Sequence, residues 1–225
     1  VHDYEAVAAV RSPGGVADDD DAAFVFSAAM RACVRGGAWG EALLLYERMR
    51  SNGVQTDAHC TAAMLEACRA GRQWERARDE LARVKPRLLS GFHYSIAMVT
   101  CLRCAQWQEA LTLFDSYAAS LGDCGAPDEY CFAAAIAACR QGAQGARAVE
   151  MLDRALAAGH TLVPHMLEHA TAACAAAGDH HSALACHKRA DNPTDASLLL
   201  ALEAIAAIAR DADGSTTAAA TAAEE

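Results

Sequence analysis

One spacing constrains this chain more than any other feature. A Cys followed nine residues later by an Ala recurs five times, at Cys33/Ala42, Cys68/Ala77, Cys101/Ala110, Cys139/Ala148 and Cys174/Ala183. Successive alanines lie 35, 33, 38 and 35 residues apart. Self-similarity at such a period marks stacked supersecondary units, because a unit of that size buries its apolar face only against its neighbours. Trp39, Trp74 and Trp107 keep the register, each six residues after its Cys. The clearest copies run over 24–57 and 92–128.

Each unit reads as two helices. In the first, Phe24 to Arg35 form helix A, Gly36 and Gly37 supply the turn, and Ala38 to Asn52 form helix B. Ala42, Leu45, Tyr46 and Met49 fall at the i, i+3, i+4, i+7 spacing of one buried helical face. Gly53 ends helix B, where a left-handed residue is needed. The register predicts further A helices near 59–70, 92–103, 130–141 and 165–176, and B helices near 73–85, 106–120, 144–158 and 179–190. Alternating Val/Ile/Thr runs are rare, so strands are not indicated. The small Ala of each helix B implies a close approach of helix A, and the Cys is a small apolar packer. Asp195 to Arg210 form one more helix, with Leu198, Leu202, Ile205 and Ile208 apolar, expected to cap the array. Residues 1–22 read as an acidic segment and linker, and 211–225 as a weakly ordered low-complexity tail.

The net charge of -10 argues at first against nucleic acid. Its distribution changes that argument. The first 22 residues and the tail after 210 hold 10 of the 29 acids and one base, so residues 23–210 carry 19 acids against 18 bases. Residues 23–90 are mildly basic, with 11 bases and 7 acids; residues 91–210 are acidic, with 7 bases and 12 acids. Five of the ten cysteines recur at one repeat position, which points to buried free thiols in a reducing compartment rather than a disulfide framework. No run of 18 apolar, uncharged residues is present, so no transmembrane helix is expected. The chain begins at Val1, which leaves a removed presequence or a longer precursor open.

Several clusters are candidates for function. Arg35, Arg69, Arg103 and Arg140 recur at the end of helix A. They read either as a phosphate-tracking row or as cations complementing helix C-termini. Arg72, Arg76, Arg78, Arg83, Lys85 and Arg87 crowd helix B of the second unit and its exit. That patch suits docking on structured RNA or an acidic protein, or is a solvated face neutralised by Glu75, Asp79 and Glu80. His165, Glu168 and His169 match H-x-x-E-H, with His180, His181, Cys186 and His187 nearby, but the segment falls in phase as a helix A. Cys101 and Cys104 form a CxxC within one helix, with no second pair. No phosphate loop, nucleophile elbow or acidic nuclease cluster is present, so neither enzyme activity, cofactor nor metal is expected.

These residues together resemble the pentatricopeptide repeat family. The resemblance rests on an early aromatic in helix A (Phe26, Tyr94, Phe132), the Cys, the Glu41-Ala42-Leu43 and Glu109-Ala110-Leu111 starts of helix B, and the closing Asp57 and Pro127-Asp128. It covers most of the chain and implies an all-α fold, a right-handed α-solenoid of five helix-turn-helix repeats (23–57, 58–90, 91–128, 129–163 and 164–193) with a capping helix at 194–210. It places helix B on the outer, convex side. It further implies a single-stranded RNA partner read by the fifth and last residues of each repeat. Those positions are Ser27/Asp57, Ala62/Ser90, Ser95/Asp128 and Ala133/Val163, with Glu168 opening the fifth. Ser with Asp suits a purine; Ala62, Ala133 and Val163 form no base-edge hydrogen bond, so sequence-specific readout is expected to be weak. The expected role is an RNA-associated adaptor of an organellar ribonucleoprotein, in a mitochondrion ahead of a chloroplast, such as an organelle ribosome subunit or an RNA-processing factor. The alternative is a protein–protein scaffold with no RNA role. Neither reading involves a membrane or a small-molecule substrate.

Overall fold

Strong helix formers fill the chain, and its turn residues recur at the period of a helical hairpin. The computed structural model describes residues 19–122, 125–190 and 194–222. Among the described residues there are eleven α-helices, a 3₁₀ turn at Pro86–Leu88 and no strand. The helices are α1 (Asp19–Arg35), α2 (Trp39–Ser51), α3 (Ala58–Gly71), α4 (Trp74–Arg83), α5 (Gly91–Arg103), α6 (Trp107–Leu121), α7 (Glu129–Gln141), α8 (Gly145–Ala157), α9 (Pro164–Ala176), α10 (His180–Lys188) and α11 (Asp195–Ala222). The odd-numbered helices from α1 to α9 are the predicted A helices, and the even-numbered ones are the B helices.

Two ends differ from the sequence reading. Helix α1 begins at Asp19, inside the stretch read as linker, since acidic residues suit a helical first turn. Helix α11 runs on to Ala222, past the boundary at 210, because the alanine-rich stretch has high helix propensity without apolar periodicity. Residues 1–18 of the acidic segment, 191–193 at the end of the fifth repeat and 223–225 of the tail lie outside the described residues.

The chain divides into two compact units, 1–106 and 107–225. In the first, α1 packs on α2 and α3, and α3 packs on α2, α4 and α5. In the second, α7 packs on α6 and α8, α9 on α7, α8, α10 and α11, and α11 also on α10. The A helices therefore stack on one another within each unit, with B helices wedged between them. Positions counted from residues 23, 58, 91, 129 and 164 make the recurrence exact in kind. The alanine at position 20 (Ala42, Ala77, Ala110, Ala148, Ala183) is fully buried in all five pairs. Position 15 takes a left-handed backbone every time, at Gly37 (φ 78°), Arg72 (55°), Ala105 (59°), Ala143 (51°) and Gly178 (78°).

Neighbouring pairs meet at a large-against-small joint. A Cβ on Gly71 would lie 2.6 Å from Cδ2 of Trp39, and one on Gly142 would lie 2.6 Å from Cδ2 of Trp107. Each indole rests where only a glycine backbone leaves room. In the last joint the sizes are exchanged. Gly145 stands at the tryptophan position, and a Cβ there would lie 2.9 Å from Cys174 Cα and 3.2 Å from Ala177 Cβ.

The repeat cysteine is buried in four pairs and half-buried, as Cys33, in the first; all nine described cysteines are free. Burial pushes the Cys60 and Cys68 thiols up to about 12 and Cys139 up to about 11. An unfolded thiol ionises near about 8.5. The folded chain thus retains protons that the unfolded chain releases. The stability this contributes is complete below about pH 8.5 and is lost as pH rises through the folded values. Urea stability is therefore expected to fall steadily from about pH 8.5 upward. A brief iodoacetamide pulse at pH 8, read by mass spectrometry, is expected to label half-buried Cys33 and Cys104 first and the buried thiols only in denaturant. Equal labelling of all nine in the native chain would contradict this packing.

Candidate nucleic-acid interface

The closing residue of a repeat caps the helix that opens the next one. Asp57 accepts the Cys60 N–H at 2.6 Å, and Asp128 accepts the Cys131 N–H at 2.9 Å. Ser90 closes a capping box with His93, whose Nδ1 lies 3.1 Å from the Ser90 amide nitrogen and whose Nε2 lies 2.9 Å from the Ala58 carbonyl oxygen. Val163 brings no polar side chain and precedes Pro164, which occupies the first turn of α9.

The fifth positions are also engaged. Ser27 is 1% exposed and donates to the Phe24 carbonyl at 2.9 Å. Ser95, equally at a buried position, donates to the Phe92 carbonyl at 2.9 Å. Ala62 and Ala133 are half-buried, and Glu168 accepts from the Thr194 hydroxyl at 3.3 Å. Base-edge recognition at Ser27 or Ser95 would require the hydroxyl to leave its carbonyl partner.

The second position carries what the sequence reading missed. It holds an aromatic or imidazole ring in every repeat: Phe24, His59 and Phe92 in the first unit, Tyr130 and His165 in the second. Phe24, Phe92 and Tyr130 are 67%, 54% and 68% exposed, and His59 and His165 are exposed as well. Scattered exposed apolar side chains need no explanation, but these recur at one place on one helix face. Every nucleic-acid base offers a flat π-face to such a ring, whatever its sequence. The signal was available in the sequence as rings in register, hidden by their being three different residue types.

The four arginines all lie in the last turn of an A helix. Arg35 and Arg103 are exposed and form no ion pair among the described residues. Arg69 is held by Glu66, with Nε 2.9 Å from the carboxylate. Arg140 lies 3.1 Å from His169 Nδ1. Desolvation, reinforced by Arg140, holds His169 below its ordinary range.

In the helix-B patch three of the six cations are paired. Arg76 meets Glu47 at 2.5 Å, Arg83 lies 3.8 Å from Glu80, and Arg78 meets Asp79 at 3.0 Å while lying over the Trp74 ring. Arg72, Lys85 and Arg87 are exposed. Glu80 is not part of a solvated face: it is 4% exposed, accepts the Tyr46 hydroxyl at 2.5 Å and lies 3.4 Å from Arg50. The rings of His165 and His169 stand 6.3 Å apart, but among the described residues no three His, Cys, Asp or Glu side chains converge. Cys101 is buried, and Cys104 donates to the Arg72 carbonyl at 3.3 Å.

No protein-family profile and no curated protein matches the chain. Solved structures do. The crystal structure of nuclear proteinaceous RNase P 2 (PRORP2) from A. thaliana matches with a TM-score of 0.66 at 14% identity, over 80% of this chain and 41% of that one. The pentatricopeptide repeat protein PPR10 from maize matches with a TM-score of 0.67 at 20% identity, over 89% of this chain and 30% of that one. The chain thus spans less than half the length of either protein. At such identities the likeness is one of fold. Recurring helix pairs, buried position-20 alanines and these neighbours make the chain an all-α helical-repeat protein with the pentatricopeptide-repeat fold.

Proposed function

We propose that this chain binds single-stranded RNA on the exposed faces of the A helices within each unit, chiefly by stacking bases on the rings at position two. The observation that carries the reading is an exposed ring at that position in all five repeats. Arg35 and Arg103 supply positive charge for the RNA backbone on the helices of Phe24 and Phe92, about three turns along. Stacking is worth roughly 1–3 kcal/mol per base and is indifferent to sequence. With Ser27 and Ser95 engaged by carbonyls, and Ala62 and Ala133 at the other fifth positions, base-edge discrimination is weak. The protein is on this reading a non-catalytic RNA-associated adaptor of an organellar ribonucleoprotein, mitochondrial ahead of chloroplast, with organelle ribosome subunit or RNA-processing factor as its setting. The family resemblance supports the compartment. Among the described residues no helix is long and apolar enough to cross a membrane.

The test is binding of the chain to labelled single-stranded and hairpin RNA across a salt series. Phe92→Ala and Tyr130→Ala are each expected to weaken single-strand binding about tenfold or more. Arg35→Ala and Arg103→Ala are expected each to flatten the log–log salt slope by about 0.7. Ser27→Ala is expected to leave base preference unchanged. Ring substitutions without effect would remove the stacking reading. No binding at low salt would give the face to a protein partner, which the near-neutral charge of residues 23–210 also suits.

A further inference from the structure

The first turns of helix α11 pack in the register of an A helix. Counted from 195, its positions three, seven and ten are Ser197, Ala201 and Ala204, all buried against the fifth pair. The same positions in α7 are the buried Cys131, Ala135 and Ala138. The Ser197 hydroxyl lies 2.7 Å from His187 Nδ1, which fastens α11 to α10.

Positions four, eight and eleven behave differently. In α7 they are Phe132, Ile136 and Cys139, and in α9 Leu167, Thr171 and Cys174, all buried. In α11 they are Leu198, Leu202 and Ile205, which are 41%, 60% and 49% exposed. Phe132 shows the cause. One side of its ring meets Phe114 of the preceding B helix at 5.3 Å, and another meets His160, at the exit of its own B helix, at 5.7 Å. Among the described residues helix α11 packs on the preceding B helix, α10, and no following B helix covers it. It continues as one helix to Ala222, so no described residue turns back over the face.

We propose that the Leu198–Leu202–Ile205 seam docks an amphipathic α-helix of another polypeptide, seated where the second helix of a sixth pair would lie. The occupant's chemistry follows from the interface it continues. All five B helices present a fully buried alanine at position 20, so the incoming helix carries a small residue at its point of closest approach. Charge sets the residue before it. At two of the four joints the acid at position 25 of one B helix holds the arginine at position 19 of the next, Glu47 with Arg76 and Asp115 with Arg147, both at 2.5 Å; Asp153, at position 25 of α8, meets Arg189 at the end of the next B helix at 2.8 Å. In α10 position 25 is Lys188, exposed and without an ion pair among the described residues. The incoming helix therefore bears a carboxylate immediately before its small residue. A second copy of this chain is a poorer occupant, because its described B helices already bury their apolar faces in their own array.

The probe is a stapled, fluorescein-labelled peptide with the sequence of residues 106–121, which contains Glu109-Ala110-Leu111 in the required order. Stapling removes the ordering cost of a free helix. Anisotropy titration into the full chain is expected to saturate. Leu202→Asp, at an exposed position that leaves the melting curve unchanged, is expected to weaken binding at least tenfold. Lys188→Glu is expected to weaken it several-fold, and the peptide carrying Glu109→Arg to recover that loss. No saturable binding, binding indifferent to Leu202→Asp, or no rescue by the charge exchange overturns the proposal. So does sedimentation showing a dimer of the chain that Leu202→Asp converts to monomer, since the seam would then belong to a second copy.

Discussion

Truncating Phe132 to Ala is expected to cost about 3–5 kcal/mol of folding stability. The ring is 1% exposed, packs at 5.3 Å from Phe114 with the planes inclined at 58°, and stands 5.7 Å from the His160 ring. Arg154 covers the other partner, 5.3 Å from the Phe114 centroid. The side chain thus joins α6, α7 and the exit of α8 at one point. Its loss leaves a cavity that three helices would have to close together, and the relaxation that softens such losses is limited where backbones are already close. In a repeat array, stability is roughly a sum of unit and nearest-neighbour terms, so the loss falls on one joint. Urea unfolding followed by far-UV circular dichroism is expected to show a lower midpoint with an early phase from the second unit. Phe92→Ala, at an exposed position, is the control and is expected to stay within about 0.5 kcal/mol. A cost below about 1 kcal/mol for Phe132→Ala would mean that this joint contributes little.

Glu80→Ala is expected to cost about 3 kcal/mol, the lower end for breaking a buried charge pair, because Arg50 remains partly in water. The carboxylate accepts from Tyr46 at 2.5 Å and faces Arg50 at 3.4 Å and Arg83 at 3.8 Å. Tyr46 is fully buried, so removing the acceptor strands its hydroxyl. Burial, with the Glu80 carboxylate as acceptor, pushes the Tyr46 phenol above its ordinary range, and the proton stays on the donor. Tyr46→Phe alone is expected to cost about 1.5–3 kcal/mol. The double replacement Tyr46→Phe with Glu80→Leu is expected to cost clearly less than the two single losses together, because neither partner is then left unsatisfied. Strict additivity in chemical denaturation would show that the two side chains do not act as a pair.

The helix pairs were legible because a thirty-odd-residue period repeats both the buried alanine and the turn, and few folds satisfy that repetition. The ends of α1 and α11 were not, since a helix start within an aspartate run and an alanine-rich continuation both lack an apolar stripe. Within the candidate site, residue type alone misled. A serine that reads a base and a serine that bonds the carbonyl three residues back are the same letter, and only the burial of Ser27 separates them. An aspartate that closes a repeat is also a helix cap, as Asp57 and Asp128 show. Glu80 looked solvated amid basic neighbours because its partner Tyr46 lies 34 residues away. The position-two rings escaped notice for the opposite reason: their chemistry is uniform while their residue types are not.

The interior thiols make opening of the array a one-way event in an oxidising medium. Folded, all nine described cysteines are free, and most are sealed from solvent. Unfolded, they become reactive near neutral pH, and the five repeat cysteines are strung along the chain about one repeat apart. A cross-link between successive repeat cysteines would close a loop of about 35 residues, worth about 4 kcal/mol of chain entropy, and it would correspond to no bond of the folded chain. Each excursion to the open state would then risk being recorded covalently. The working lifetime of the protein outside a reducing compartment would be set by how often its joints part rather than by its free energy of folding.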